Sequence, residues 1–125
     1  MFHYAASIYA SSHEYSAYPI ALAYLAYYDV EDGFDRRAAE RLQHAMALNR
    51  RIGSGWWMGI TIYMMWRIRK LLEAQNRSCE ALEALWPADE REHCLWGLES
   101  LRPLEPRLEA EELERRVWEL DGQTV

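Results

Sequence analysis

Four histidines and two cysteines are the residues of this chain best suited to metal or proton chemistry. Their spacing limits how far that chemistry can go. Glu40 and His44 stand four residues apart and Glu90 and His93 three apart. Both spacings put two potential ligands on one helical face. A carboxylate-bridged dinuclear site in a helical bundle needs two Glu-x-x-His pairs and two further inward glutamates. Arg36, Arg37 and Arg41 surround Glu40, and their charge opposes a bound cation. Both pairs are therefore read as solvated pairs on helix surfaces. Cys79, His93 and Cys94 fall short of a zinc site, which takes four ligands, commonly in two close pairs. The cysteines are read as reduced thiols in the core, and neither metal nor cofactor is expected.

Arg37 and His44 form the one candidate catalytic pair. Their separation by six residues resembles the loose arginine–histidine spacing of the helical HEPN ribonucleases. That resemblance implies a site in which the two residues meet across a dimer seam around an RNA phosphate. Ala38 departs from the pattern, since a polar residue commonly follows the arginine in that family. A solvated amphipathic face accounts for the same pair. Nucleotide loops, nucleophile elbows and glycine fingerprints are absent, as are the strands that would carry them. A ribonuclease is thus the alternative reading, and a protein without enzymatic activity the main one.

The elements that must position these residues read as helices throughout. Ala, Leu, Glu and Arg dominate, and no alternating β-branched run occurs. Helices are expected at about 2–14, from Pro19 to about Asp29, and from a cap at Asp35 to about Arg51. The third places Ala38, Leu42, Ala45, Met46 and Asn49 along one stripe. Gly53-Ser54-Gly55 breaks the chain, with Ser54 as the cap of a helix over about 55–75. Ser78 is expected to cap a short helix before Pro87, and Asp89 a helix over about 90–101. Pro103 and Pro106 make a rigid joint, and a last helix runs about 107–120, with Leu108, Leu113, Val117, Trp118 and Leu120 as its apolar side. The whole chain, 1–125, is expected to form one all-α domain, a compact bundle of six to seven helices, with a disordered tail at about 121–125.

The fifteen residues between Arg51 and Arg67 carry no charge. A helix apolar on every side must be covered on every side. Fifteen helical residues reach about 22 Å, short of the roughly 30 Å hydrocarbon core of a bilayer. The stretch is read as the central core helix, with Trp57, Ile60, Tyr63, Met64 and Ile68 buried. A membrane-associated protein is the other alternative, and no secretory signal is visible, so a cytoplasmic protein is expected.

Comparing the chain with itself at an offset of 36 aligns Tyr27 with Tyr63, Ala38 with Ala74, Ala45 with Ala81 and Met46 with Leu82. With Phe34, Leu42 and Leu48, this pattern over about 19–85 resembles the tetratricopeptide-like helical hairpin. An aromatic on the first helix and small residues on the second allow close approach in that family. The resemblance implies stacked helical hairpins and a protein-binding scaffold.

Charge points the same way. The net charge is −6, which argues against direct nucleic-acid binding. Residues 31–72 hold four acids and eight bases, whereas residues 73–125 hold fourteen acids and six bases. The functional expectation is stoichiometric association with a protein of basic surface, in the manner of immunity proteins, antitoxins, phage-encoded inhibitors or chaperones. Glu109, Glu112 and Glu119 with the anchor Trp118 are the candidate partner-binding residues. Glu111–Arg115 and Glu112–Arg116 have the spacing of intrahelical ion pairs. Reversing Glu109 and Glu112 to Lys is expected to slow association with little change in stability. The sixteen aromatic residues also suggest an apolar patch covered in a homodimer.

Overall fold

The computed structural model describes residues 18–52, 55–102 and 107–123, and among them it contains six helices and no strand. In chain order they are α1 (Tyr18–Glu31), α2 (Asp35–Ile52), α3 (Gly55–Ala74), α4 (Glu80–Glu83), α5 (Glu90–Leu101) and α6 (Leu108–Gln123). The expected helix at 2–14, the Ser54 cap and the Pro103–Pro106 joint lie outside the described residues, as do His3 and His13.

α1 and α2 form a tight hairpin. Ala23, Ala26, Ala38, Ala39 and Ala45 are all buried, and their small side chains let the two helices approach closely. Gly33 sits at φ +87°, a left-handed conformation that a side chain disfavours, and it turns the chain between the helices. Asp35 is the first residue of α2 and does not cap it. Both of its carboxylate oxygens instead accept from Nη1 of Arg77, at 2.8 and 2.7 Å. Arg77 also donates to the Val30 carbonyl at 2.7 Å, so the segment after α3 is stapled to the α1–α2 turn.

α3 is the central helix. Every residue from Gly59 to Trp66 is buried, and Ile68 and Leu72 extend that surface. Ile60, Tyr63, Met64 and Ile68 are buried as expected, while Trp57 is half-buried. The helix packs on α1 and α2 on one side and on α5 and α6 on the other. Gly59 is required by one of these contacts: a Cβ there would lie 2.7 Å from the Leu101 side chain of α5. Gly97 of α5 plays the same part against Leu113 of α6, again at 2.7 Å. Among the described residues no helix is long and apolar enough to cross a membrane.

α3 ends in a Schellman motif. Asn76 takes φ 52°, Arg77 N–H bonds the Leu72 carbonyl at 2.9 Å and Asn76 N–H the Glu73 carbonyl at 3.1 Å. Ser78 does not cap the next helix; Cys79 occupies that position without a side-chain bond. Asp89 caps α5 as expected, accepting from Arg91 N–H at 3.0 Å. α6 runs on to Gln123, past the end expected near 120 and into the expected tail, with Asp121 paired to Arg91 at 2.6 Å.

The repeat is built only once. Ala38 and Ala45 are buried in the α1–α2 hairpin, but their counterparts Ala74 and Ala81 are exposed, and α4 is a single turn of four residues. A one-turn helix has no second face on which to stack another hairpin.

Candidate functional site

The last helix walls two surface concavities. α6 sets Leu113 and Val117 into the core, leaving one flank against α5 and the other against α3 and α1. Leu108 and Trp118, assigned by the sequence to the apolar side, are 80% and 75% exposed instead. They lie off the Leu113–Val117 line, so they cannot reach the core.

The α5–α6 flank is an apolar groove of about 640 Å³. Leu95, Leu98 and Leu101 come from α5, and Ala110, Val117 and Trp118 from α6. Its rim carries Glu111 and Glu114 along the middle, with Arg102 and Arg107 at the end where the two helices are joined. The spacing 107, 111, 114, 118 is one helical face, which is why the rim charges and Trp118 share an edge.

The other flank is held together by polar bonds. Glu90, at the start of α5, receives Trp66 Nε1–H at 2.8 Å and two bonds from Arg116, at 2.8 and 3.0 Å. Lys70 approaches the same carboxylate at 3.3 Å. Burial alone would raise the Glu90 pKa, but the bonds from Arg116 and Trp66 and the Lys70 charge outweigh it and lower the pKa to about 2. Nearby, the Tyr63 hydroxyl donates to Glu112, and burial together with that carboxylate pushes its pKa well above the phenol range. Above these bonds opens a groove of about 440 Å³, between α1, α3 and α6.

The four proposed partner-binding residues are therefore not brought together. Trp118 faces the α5–α6 groove, whereas Glu112 and Glu119 line the opposite one. Glu109 is paired with Arg107 at 3.7 Å. Neither expected intrahelical pair forms. Glu112 is turned to Tyr63, and Arg116 is drawn to Glu90 and Glu119. Arg37 clamps the buried Asp29 at 3.0 Å and lies over the Phe34 ring, while the exposed His44 meets the edge of Tyr18. Neither lines either groove.

Glu90 and His93 are not a solvated pair. His93 is fully buried between Trp86 and Trp96, and its Nε2–H donates to the Ile62 carbonyl at 3.2 Å. Its Nδ1 is buried without a partner. Burial lowers its pKa to about 4, the Ile62 bond opposing that shift only in part. Cys94 is a buried thiol whose pKa burial raises to about 12, and Cys79 is half-buried; both are free. Among the described residues no cluster of His, Cys, Asp or Glu could hold a metal ion.

Leu95 and Leu98 were not singled out by sequence reasoning as site residues, although their spacing with Leu101 was a readable signal of a stripe on α5. Glu90 was read only as a partner of His93, because its bonds to Trp66, Lys70 and Arg116 depend on elements distant in sequence. Compared with known proteins, the chain matches no family model, no curated protein and no solved structure.

Proposed function

We propose that the protein works by stoichiometric association with another protein, which lays the apolar face of a helix into the α5–α6 groove. The observation that carries this reading is Trp118, 75% exposed at the edge of a groove walled by aliphatic side chains. An exposed indole beside an apolar channel is the usual form of an interface anchor. Two antiparallel helices with an open channel between them accept a third helix in the manner of other helix-in-groove complexes. Glu111 and Glu114 along the middle of the rim favour basic residues on the facing part of the occupant, and Arg102 and Arg107 an acidic one at the joined end. Inhibitory or chaperoning partnerships of the immunity-protein or antitoxin kind fit such a surface. The ribonuclease alternative is less well supported, since Arg37 is already committed to Asp29.

A photo-crosslinking residue placed at position 118 in the native host, followed by mass spectrometry, identifies the occupant. Binding is then measured with purified components. Trp118→Ala is expected to weaken it about a hundredfold, a hot-spot effect, with the melting temperature unchanged. Undiminished binding by Trp118→Ala would overturn the proposal. A crosslink to a second copy of this chain would replace it with self-association.

A further inference from the structure

The α1–α3–α6 groove presents the opposite chemistry to its neighbour. Arg67 and Lys70 of α3 and Arg115 and Arg116 of α6 converge on it, four cations in a chain whose overall charge is negative. Two of them are already engaged. Arg116 spends its donors on Glu90 and Glu119, and Lys70 is shared between Glu73 and Glu90. The two acids of the lining are also engaged, Glu119 by Arg116 and Glu112 by the Tyr63 hydroxyl.

Two guanidinium groups remain. Arg67 lies over the Tyr27 ring, 4.8 Å from its centroid, and pairs with no carboxylate among the described residues. Arg115 is exposed and makes no ion pair or hydrogen bond among them. Arginine on an aromatic face keeps its planar fork free to bind a tetrahedral oxyanion. A ring beneath that fork also offers a surface to an organic group attached to the anion. The groove volume of about 440 Å³ falls within the range of small-molecule sites.

We propose that this groove binds a phosphate monoester, its dianionic group held between Arg67 and Arg115 and its organic part lying against Tyr27. Each fork can supply two parallel donors to the phosphate oxygens, and Arg115 stands on the same α6 flank as the carboxylate of Glu112, which keeps its charge because its partner Tyr63 is neutral. The site is independent of the protein-docking groove, being on the other flank of α6.

The test is calorimetric or NMR titration of the full chain at low ionic strength with inorganic phosphate, phenyl phosphate and phenylacetate. Phenyl phosphate is expected to saturate one site, to bind at least as tightly as inorganic phosphate, and to outbind the monoanionic phenylacetate. Arg67→Gln and Arg115→Gln should each weaken it about tenfold, as expected for lost charge-assisted bonds. Arg50→Gln, exposed on α2 and outside the groove lining, should leave it unchanged. Arg115→Gln removes no ion pair or hydrogen bond among the described residues, so its melting temperature should match the parent and its binding result stands whatever Arg67→Gln does to folding. Unsaturable binding, phenylacetate binding as tightly as phenyl phosphate, or affinity untouched by Arg115→Gln would each overturn the proposal.

Discussion

The two flanks of α6 carry similar charged residues and do opposite things with them. On the α5 side, Glu111 and Glu114 stand on the rim of an apolar channel. On the α3 side, Glu112 and Glu119 sit among four cations and are absorbed by Tyr63 and Arg116. A glutamate count along the helix cannot distinguish these situations. What differs is the neighbour: α5 offers leucines, whereas α3 offers Tyr63, Arg67 and Lys70. Acidic residues on one helix therefore do not constitute one acidic face.

The largest expected effect comes from removing the node that cements the polar flank. Glu90 is nearly buried and holds Trp66, Lys70 and Arg116 at once. Glu90→Ala would strand those donors, and a loss of about 3–5 kcal/mol in urea unfolding is expected. A loss below about half a kcal/mol would mean that apolar packing alone fastens α6 on this side.

Acid sharpens the same contrast. His93 is held neutral, with its pKa lowered from 6.5 to about 4. Its contribution to stability is complete above pH 6.5, because there neither folded nor unfolded chain is protonated. As pH falls below 6.5 the unfolded state takes up the proton first, and stability declines until the folded pKa is passed. The shift corresponds to about 3 kcal/mol. Glu90 adds a second decline, since its lowered pKa gives a contribution present above pH 4.5 and lost as pH falls toward 2. Unfolding measured from pH 7 to 3 should show both phases, and His93→Gln should flatten the first. A flat profile between pH 6.5 and 4 in the parent protein would contradict the buried neutral histidine.

The smallest effect separates the flanks most cleanly. Glu112→Lys should destabilise by about 1–3 kcal/mol, because the part-buried Tyr63 hydroxyl loses its acceptor and a further cation joins the cluster. Glu114→Lys, on the exposed rim, should leave thermal stability within about half a kcal/mol and slow association with a basic partner. Equal melting temperatures for the two variants would mean that the flanks are equivalent after all. The expectation that reversing Glu109 and Glu112 changes stability little does not take in the bond that Glu112 accepts from Tyr63, 49 positions away.

Much of the fold was legible in advance for a simple reason. The uncharged run ending at Trp66 has no side that water can face, so α3 had to be central. The stripe Ala38, Leu42, Ala45, Met46 and Asn49 is written at helical spacing, and all five are buried. Asp89 caps α5 through a bond two residues away. Asp35 and Ser78 misled because a capping residue type is also a good ion-pair or surface residue, and Arg77 decided the matter for Asp35. The 36-residue offset misled because alanines at matching positions say nothing of whether a second helix follows.

The sequence by itself thus determined the helices, the identity of the central one and the apolar stripe of α2, because these follow from local periodicity and the exclusion of charge from a core. The tertiary structure alone decided where the remaining charges and aromatics went. It buried His93 between two tryptophans, joined Glu90 to Arg116, left Trp118 outside and, among the described residues, left Arg67 and Arg115 without acids. Each of these outcomes depends on which helix lies opposite. The physical reason is that a side chain's hydrogen-bonding partner and its degree of solvation are set by neighbours tens of residues away in the chain.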